Sequence, residues 1–149
     1  MTIPASTVPV VKAALVTALK ARTELANVSV EYGPAGTFLD DDQILVGRAH
    51  GAFNVSRLVG GGGQWWLDEH YVLQVEVLSF RGDDDEQATE ERAHILAAVI
   101  VDTIRLDPSL GGRVNQATPL SWECDPGWDE NHLGRHAKYL LDIDIDASV

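Results

Sequence analysis

Residues 65–110 read WWLDEHYVLQVEVLSFRGDDDEQATEERAHILAAVIVDTIRLDPSL, and the two halves of this stretch carry different periods. In the first half Tyr71, Leu73, Val75 and Val77 alternate with His70, Gln74 and Glu76. A period of two is that of a strand with one buried face, and the β-branched and aromatic residues favour the pleated state. Val72, Leu78 and Phe80 interrupt the polar side, so part of that side is expected to be covered as well. Arg81-Gly82 then releases the chain. Asp83, with Glu86 three residues later, has the pattern of a capping box. Asp84, Asp85 and Glu90 add negative charge where a helix dipole favours it. The second half repeats Ala93, Leu96, Ala97, Ile100, Val101 and Ile104 at steps of three and four, one face of a helix. Ile95 and Val99 widen the apolar stripe, which gives this helix a second surface to bury, on a neighbour. Asp107-Pro108 ends it, and Gly111-Gly112 turns the chain.

Upstream, Val8 to Leu25 has the spacing of a first helix, with Thr7 as N-cap and Pro9 tolerated in the first turn. Asn27 to Tyr32 alternates as a short strand, closed by Gly33-Pro34-Ala35-Gly36. Gln43 to Val59 predicts strand with a break near Gly47 or Gly51. Gly60, Gly61, Gly62 and Gly63 then form a hairpin tip. No Lys-Ser/Thr follows these glycines and the next element is a strand, which speaks against a phosphate loop. Downstream, Arg113 to Glu123 predicts a strand with an edge or bulge at Pro119. Cys124 to Leu133 reads as a polar and aromatic loop. Lys138 to Asp146 is the cleanest alternation, with Tyr139, Leu141, Ile143 and Ile145 inward. The sum is one α+β domain over residues 1–149. Its sheet is mostly antiparallel (mixed), of about four to five strands, with two main helices on one face.

Composition narrows the function classes. The 149 residues suffice for a sizeable core. No apolar run approaches the roughly 20 residues of a membrane helix, and the N-terminus lacks a basic secretory n-region. A single cysteine, Cys124, forms no internal disulfide and fits a cytoplasmic folding compartment. The net charge of −12 opposes any grip on nucleic-acid phosphates.

Residues with chemical potential are dispersed. Asp142, Asp144 and Asp146 line one side of the last strand. They can hold a hard cation, but they lack the glycine-bearing calcium loop, and charge on an exposed strand equally serves solvation. His132 and His136 have metal-like spacing, but Gly134 between them argues against a helix. Cys124 has Glu123 and Asp125 beside it, which raise a thiol pKa and oppose nucleophilic use. No catalytic, cofactor or metal residue is therefore expected. Asp40, Asp41 and Asp42 read as a solvated loop. Four tryptophans, at positions 65, 66, 122 and 128, are many for one domain. Adjacent Trp65 and Trp66 put one ring on each face of their strand.

The order of elements, with the segments NVSVEYGP, EHYVLQVEVLSFRGD, ERAHILAAVIVDTIRLDPSLGG and GRHAKYLLDIDID, resembles the tail terminator (tail completion) proteins of long-tailed bacteriophages. The likeness is one of layout and covers most of the chain. It implies an α+β fold and a homo-hexameric ring located in the virion, at the head-proximal end of the tail. The ring forms in the host cytoplasm, caps the major tail tube protein, stops its polymerisation and meets a head-side neck or connector protein. DNA transits the hole without sequence-specific binding, and no catalysis is implied. Six copies at −12 each would carry 6 × −12 = −72. On that reading Asp40, Asp41, Asp42, Asp142, Asp144 and Asp146 are the acids expected to line the channel. Trp65, Trp66, Ile95, Val99, Trp128 and Gly60 to Gly63 are expected to contact subunits or partners. The alternatives are a neck or head-completion protein of the same virion, a small metal-dependent hydrolase, and a monomeric binding module.

Overall fold

The computed structural model of the chain describes residues 6–33, 41–59, 64–81, 85–129 and 134–149; the side chains of 56–59, 64–66 and 128–129 fall outside that description. Helix α1 (Val8–Lys20) is followed by a single 3-10 turn (Thr23–Leu25) and strand β1 (Ser29–Tyr32). Two 18-residue strands, β2 (Asp42–Val59) and β3 (Gln64–Arg81), form a long hairpin. Helix α2 (Glu86–Leu106) leads to β4 (Gln116–Asp129) and β5 (Gly134–Ser148). The sheet order is β1-β2-β3-β5-β4. The β1–β2 pair is parallel and the other three pairs are antiparallel, so the sheet is mixed and mostly antiparallel, as the order of elements suggests. Since β3 and β4 both run antiparallel to β5, they point the same way. Helix α2 makes the crossover between them, and β5 fills the gap.

The period-two pattern of β3 holds through the strand. Tyr71, Leu73, Val75 and Val77 are buried on the inner face, beside Ile143 and Ile145 of β5 and Ile44 and Val46 of β2. Both helices cover that face. α1 contributes Val11, Leu15 and Leu19, and α2 contributes Leu96, Ile100 and Ile104. Gly47 lies in the register shift between Val46 and Ala49, and Pro119 opens another between Pro119 and Ser121. Gly51 stays in the ladder, where a Cβ would lie 2.2 Å from that of Tyr71, so no larger residue fits.

Local expectations change at several places: the strand expected from Arg113 begins only at Gln116, and the one expected over Lys138 to Asp146 spans Gly134–Ser148. The first helix stops at Lys20 and not Leu25. Arg22 leaves the helical region (φ −77°, ψ 127°), and its guanidinium bonds to Glu24 and Asp102, while the 3-10 turn still buries Leu25. The N-cap of α2 is Asp85, whose carboxylate accepts from the Ala88 amide at 3.0 Å; Asp83 lies outside the described residues. The segment expected as a loop from Cys124 continues as β4 to Asp129, because β5 supplies a continuous ladder (Cys124 opposite Tyr139, Asp125 opposite Lys138). An edge strand tolerates Pro119 and Pro126, since half of its backbone needs no partner. Finally, β1 begins at Ser29, two residues later than its alternation suggests.

Candidate assembly surfaces

Two buried carboxylates fix the frame on which any surface is displayed. Asp42, at the start of β2, faces inward under the first turns of α2. Its oxygens accept from Ser79 Oγ (3.0 Å), from Arg81 Nη1 (3.0 Å) and from Arg92 Nε (3.0 Å). Burial alone would raise its pKa, yet the hydrogen bonds from Arg81 and Arg92 prevail and hold the carboxyl below its ordinary value. Asp42 is 8% exposed, so its assignment to a wet channel lining is corrected. Alternation explains the change: Asp42 pairs with Ser79 on the inner side, so it turns toward the helices. At the other end of the sheet, Glu69 accepts from the Thr7 amide (2.8 Å) and the Thr7 hydroxyl (2.5 Å). Thr7 makes no side-chain cap on its own helix; a carboxylate 62 positions away satisfies the start of α1 instead. The Tyr71 hydroxyl lies 3.0 Å from Thr7, and burial pushes its pKa up to about 12.

Among the described residues, no helix covers the outer face of the sheet. Asp142, Asp144 and Asp146 lie together there on β5, flanked by β3 and β4. Asp144 sits 2.7 Å from His70 Nε2. Asp142 accepts from Gln74 (3.3 Å) and Ser121 (3.2 Å), and Asp146 is exposed. The alternation also places Asp68, Glu123 and Asp125 on this face, against Lys138, which reaches Glu76 at 3.3 Å. Val72, Leu78 and Phe80 are half-buried there, so the partial cover expected from their apolar character is present. Asp41 is exposed, but its carbonyl accepts from the Phe80 amide. That puts it six residues along β3 from Gln74, roughly 20 Å at ~3.3 Å per residue. It does not join the Asp142 row. Asp40 and Gly60 to Gly63 lie outside the described residues, as do the side chains of Trp65, Trp66 and Trp128, whose backbones run in β3 and β4.

The edge formed by β4 and α2 is apolar and open. Trp122 (60% exposed) stacks on Tyr139 with centroids 5.4 Å apart and planes within 9°. His94 of α2 meets both rings edge-on, at 5.4 and 5.1 Å. Leu120 is also 60% exposed. An open groove of about 730 Å³ runs between α2 and β4, lined by Ala98, Val101, Arg105, Leu120, Trp122 and Leu141. Ile95 is 54% exposed on the same helix, whereas Val99 packs against the core of its own chain. Sequence periodicity finds Ile95, and Pro119 marks an edge or bulge in this strand, but neither shows that Trp122 and Leu120 lie beside α2, which follows from the strand order.

Cys124 is half-buried beside this cluster. Burial pushes its thiol pKa up first, and the carboxylates of Glu90 and Asp125 add to the rise. The neighbour that matters across space is Glu90 of α2. His136 lies over Gly127, and a Cβ there would come within 2.9 Å of the ring. Among the described residues, no helix is long and apolar enough to cross a membrane.

Comparisons with known proteins place the fold. No protein-family model matches the chain, and no curated protein matches it. The fold is similar to that of a solved chain described as "Virion of native gene transfer agent (GTA) particle", with a TM-score of 0.56 and 17% identity over 91% of this chain and 94% of that chain.

Proposed function

We propose that the protein is a structural component of a phage-like virion and acts as its tail terminator. Six copies form a ring that caps the tail tube, halts tube growth and offers its other side to the neck. The observation that carries this reading is the fold likeness to a gene transfer agent virion chain over nearly the full length of both molecules. Two features of the surface support it. The outer face gathers the acids Asp142, Asp144 and Asp146, which would repel DNA phosphates from a channel wall. The α2–β4 edge leaves Ile95, Leu120 and Trp122 uncovered, the kind of apolar area that a neighbouring subunit buries. Trp65, Trp66, Trp128 and Gly60 to Gly63 supply contacts to tube or neck on this reading.

The test mixes the protein with polymerising tube protein and measures tube length by electron microscopy. A terminator shortens the length distribution in proportion to its concentration and sits at one end of each tube. Tubes of unchanged length, with the protein bound instead to a head-side ring, would identify a neck protein. A ring whose channel wall is neutral or basic would remove the role given to the Asp142 row.

A further inference from the structure

Glu90 and His94 stand one helical turn apart on α2, and Cys124 lies opposite them on β4. The carboxylate oxygen, imidazole nitrogen and thiol sulfur of the three all fall within 4.8 Å of one another, and each residue is half-buried. Glu90 Oε1 and His94 Nε2 are 4.0 Å apart. Around a tetrahedral zinc ion, with bonds of ~2.0–2.3 Å, ligand atoms lie roughly 3.3–3.6 Å from one another. Side-chain shifts of about 1 Å would therefore close the set on an ion, with no movement of either element needed.

We propose that Glu90, His94 and Cys124 bind one divalent cation of borderline softness, of the Zn²⁺ type, with the fourth position open to water or to a neighbouring molecule. The donor set selects the ion class. One sulfur, one nitrogen and one oxygen suit zinc and its chemical relatives, whereas magnesium and calcium require oxygen. Charge balance is favourable: the thiol proton leaves to solvent on binding, and one carboxylate and one thiolate neutralise the dication. The His94 plane is already held by its edge-on contacts with Trp122 and Tyr139, so one ligand is oriented before the ion arrives. Because the ligands come from two elements, the ion pins the exposed edge strand β4 to α2 beside the apolar groove. This proposal stands apart from the virion reading.

Cys124 is the chain's one cysteine, which makes cobalt a specific reporter. The metal-stripped full-length protein is titrated with Co²⁺. The expected result is a thiolate-to-cobalt charge-transfer band and the intense visible bands of tetrahedral cobalt, saturating at one equivalent and bleached by one equivalent of Zn²⁺. Cys124→Ser abolishes the charge-transfer band, and His94→Ala weakens Zn²⁺ binding at least tenfold. Zn²⁺, but not Mg²⁺, slows alkylation of Cys124 in the unmodified protein. Absence of the band from the unmodified protein, an alkylation rate indifferent to Zn²⁺, or Zn²⁺ binding unchanged in a folded Cys124→Ser variant would each overturn the site. Two of these readouts need no variant, so a folding defect cannot mask the answer.

Discussion

The two faces of the sheet share one backbone and treat the same residue types in opposite ways. On the inner face Asp42 is buried and held by Arg81 and Arg92; on the outer face Asp144 meets a single exposed histidine. Both aspartates lie in strands and both belong to acidic segments, Asp42 at the end of a contiguous run and Asp144 in an alternating one. What separates them is parity along the strand, which sends one side chain under the helices and the other away from them. A carboxylate withdrawn from water needs strong donors, and two guanidiniums supply them. A carboxylate left in water needs little, and an exposed pair contributes little. The inner face therefore holds the stability of the molecule. The outer face contributes little to it.

The largest break in this contrast comes from the inner apolar residues. Ile143→Ala removes a side chain that is 1% exposed at the centre of the core. The expected loss is about 4 kcal/mol, within the range for buried truncations, read as a shift of the urea midpoint. Asp42→Ala follows, at about 3 kcal/mol, since it leaves two partly shielded guanidiniums without their carboxylate. Its pH signature has a definite sign. The folded-state pKa lies below the ordinary value of 3.8, so the stabilisation is complete above that value and is lost as pH falls through the lower folded one. Between about pH 5 and 2 the unmodified protein should lose stability faster than Asp42→Asn. Parallel slopes would mean that the fold leaves the Asp42 pKa where the unfolded chain has it, so that the two guanidiniums add nothing. Glu69→Ala should cost about 2 kcal/mol, because it strands the Thr7 amide at the start of α1 and leaves the Thr7 hydroxyl with Tyr71 alone. Amide exchange at residues 7–11 should accelerate more than exchange in α2.

Much of the architecture was legible because β3, α2 and β5 carry clean periods over long spans. The alternation through Tyr71 and Val77, the steps from Ala93 to Ile104, and the Asp142 row each assign their own burial. Proline and glycine marked the bulges at Gly47 and Pro119. The missed features depend on contacts between distant parts of the chain. Asp42 reads as loop acid because its partners Arg81 and Arg92 are 39 and 50 positions away. Glu69 carries no local sign that it will cap a helix 62 residues earlier. The cluster of Glu90, His94 and Cys124 left half a trace: the two α2 residues have the i, i+4 spacing of paired ligands. The third member is invisible until β4 is known to extend past it. Trp122 is exposed only because β5 inserts between β3 and β4 and leaves β4 at the rim, a consequence of strand order that no local pattern encodes.

The smallest expected effect on stability tests the outer face. Replacing Asp142, Asp144 and Asp146 together with asparagine removes three negative charges from one strand side. It also removes the carboxylate from the His70–Asp144 contact, which is 2.7 Å long but solvent-exposed. Exposed pairs contribute roughly 0.2–1 kcal/mol, and relief of repulsion among the three acids acts in the opposite direction. The two nearly cancel, so the unfolding free energy of the triple variant should stay within about 0.5 kcal/mol of the unmodified protein. A loss as large as that of Asp42→Ala would show that the outer face is structural after all, and the contrast between the faces would fail. If stability holds, the same variant isolates the role of charge. On the proposed terminator reading, tube capping should persist, because the apolar edge at Trp122 and Leu120 is untouched. Retention of added duplex DNA by the assembled ring should rise as the negative wall is lost. Equal DNA retention by a stable, capping-competent variant would separate these acids from the channel and leave them as a solvated strand face.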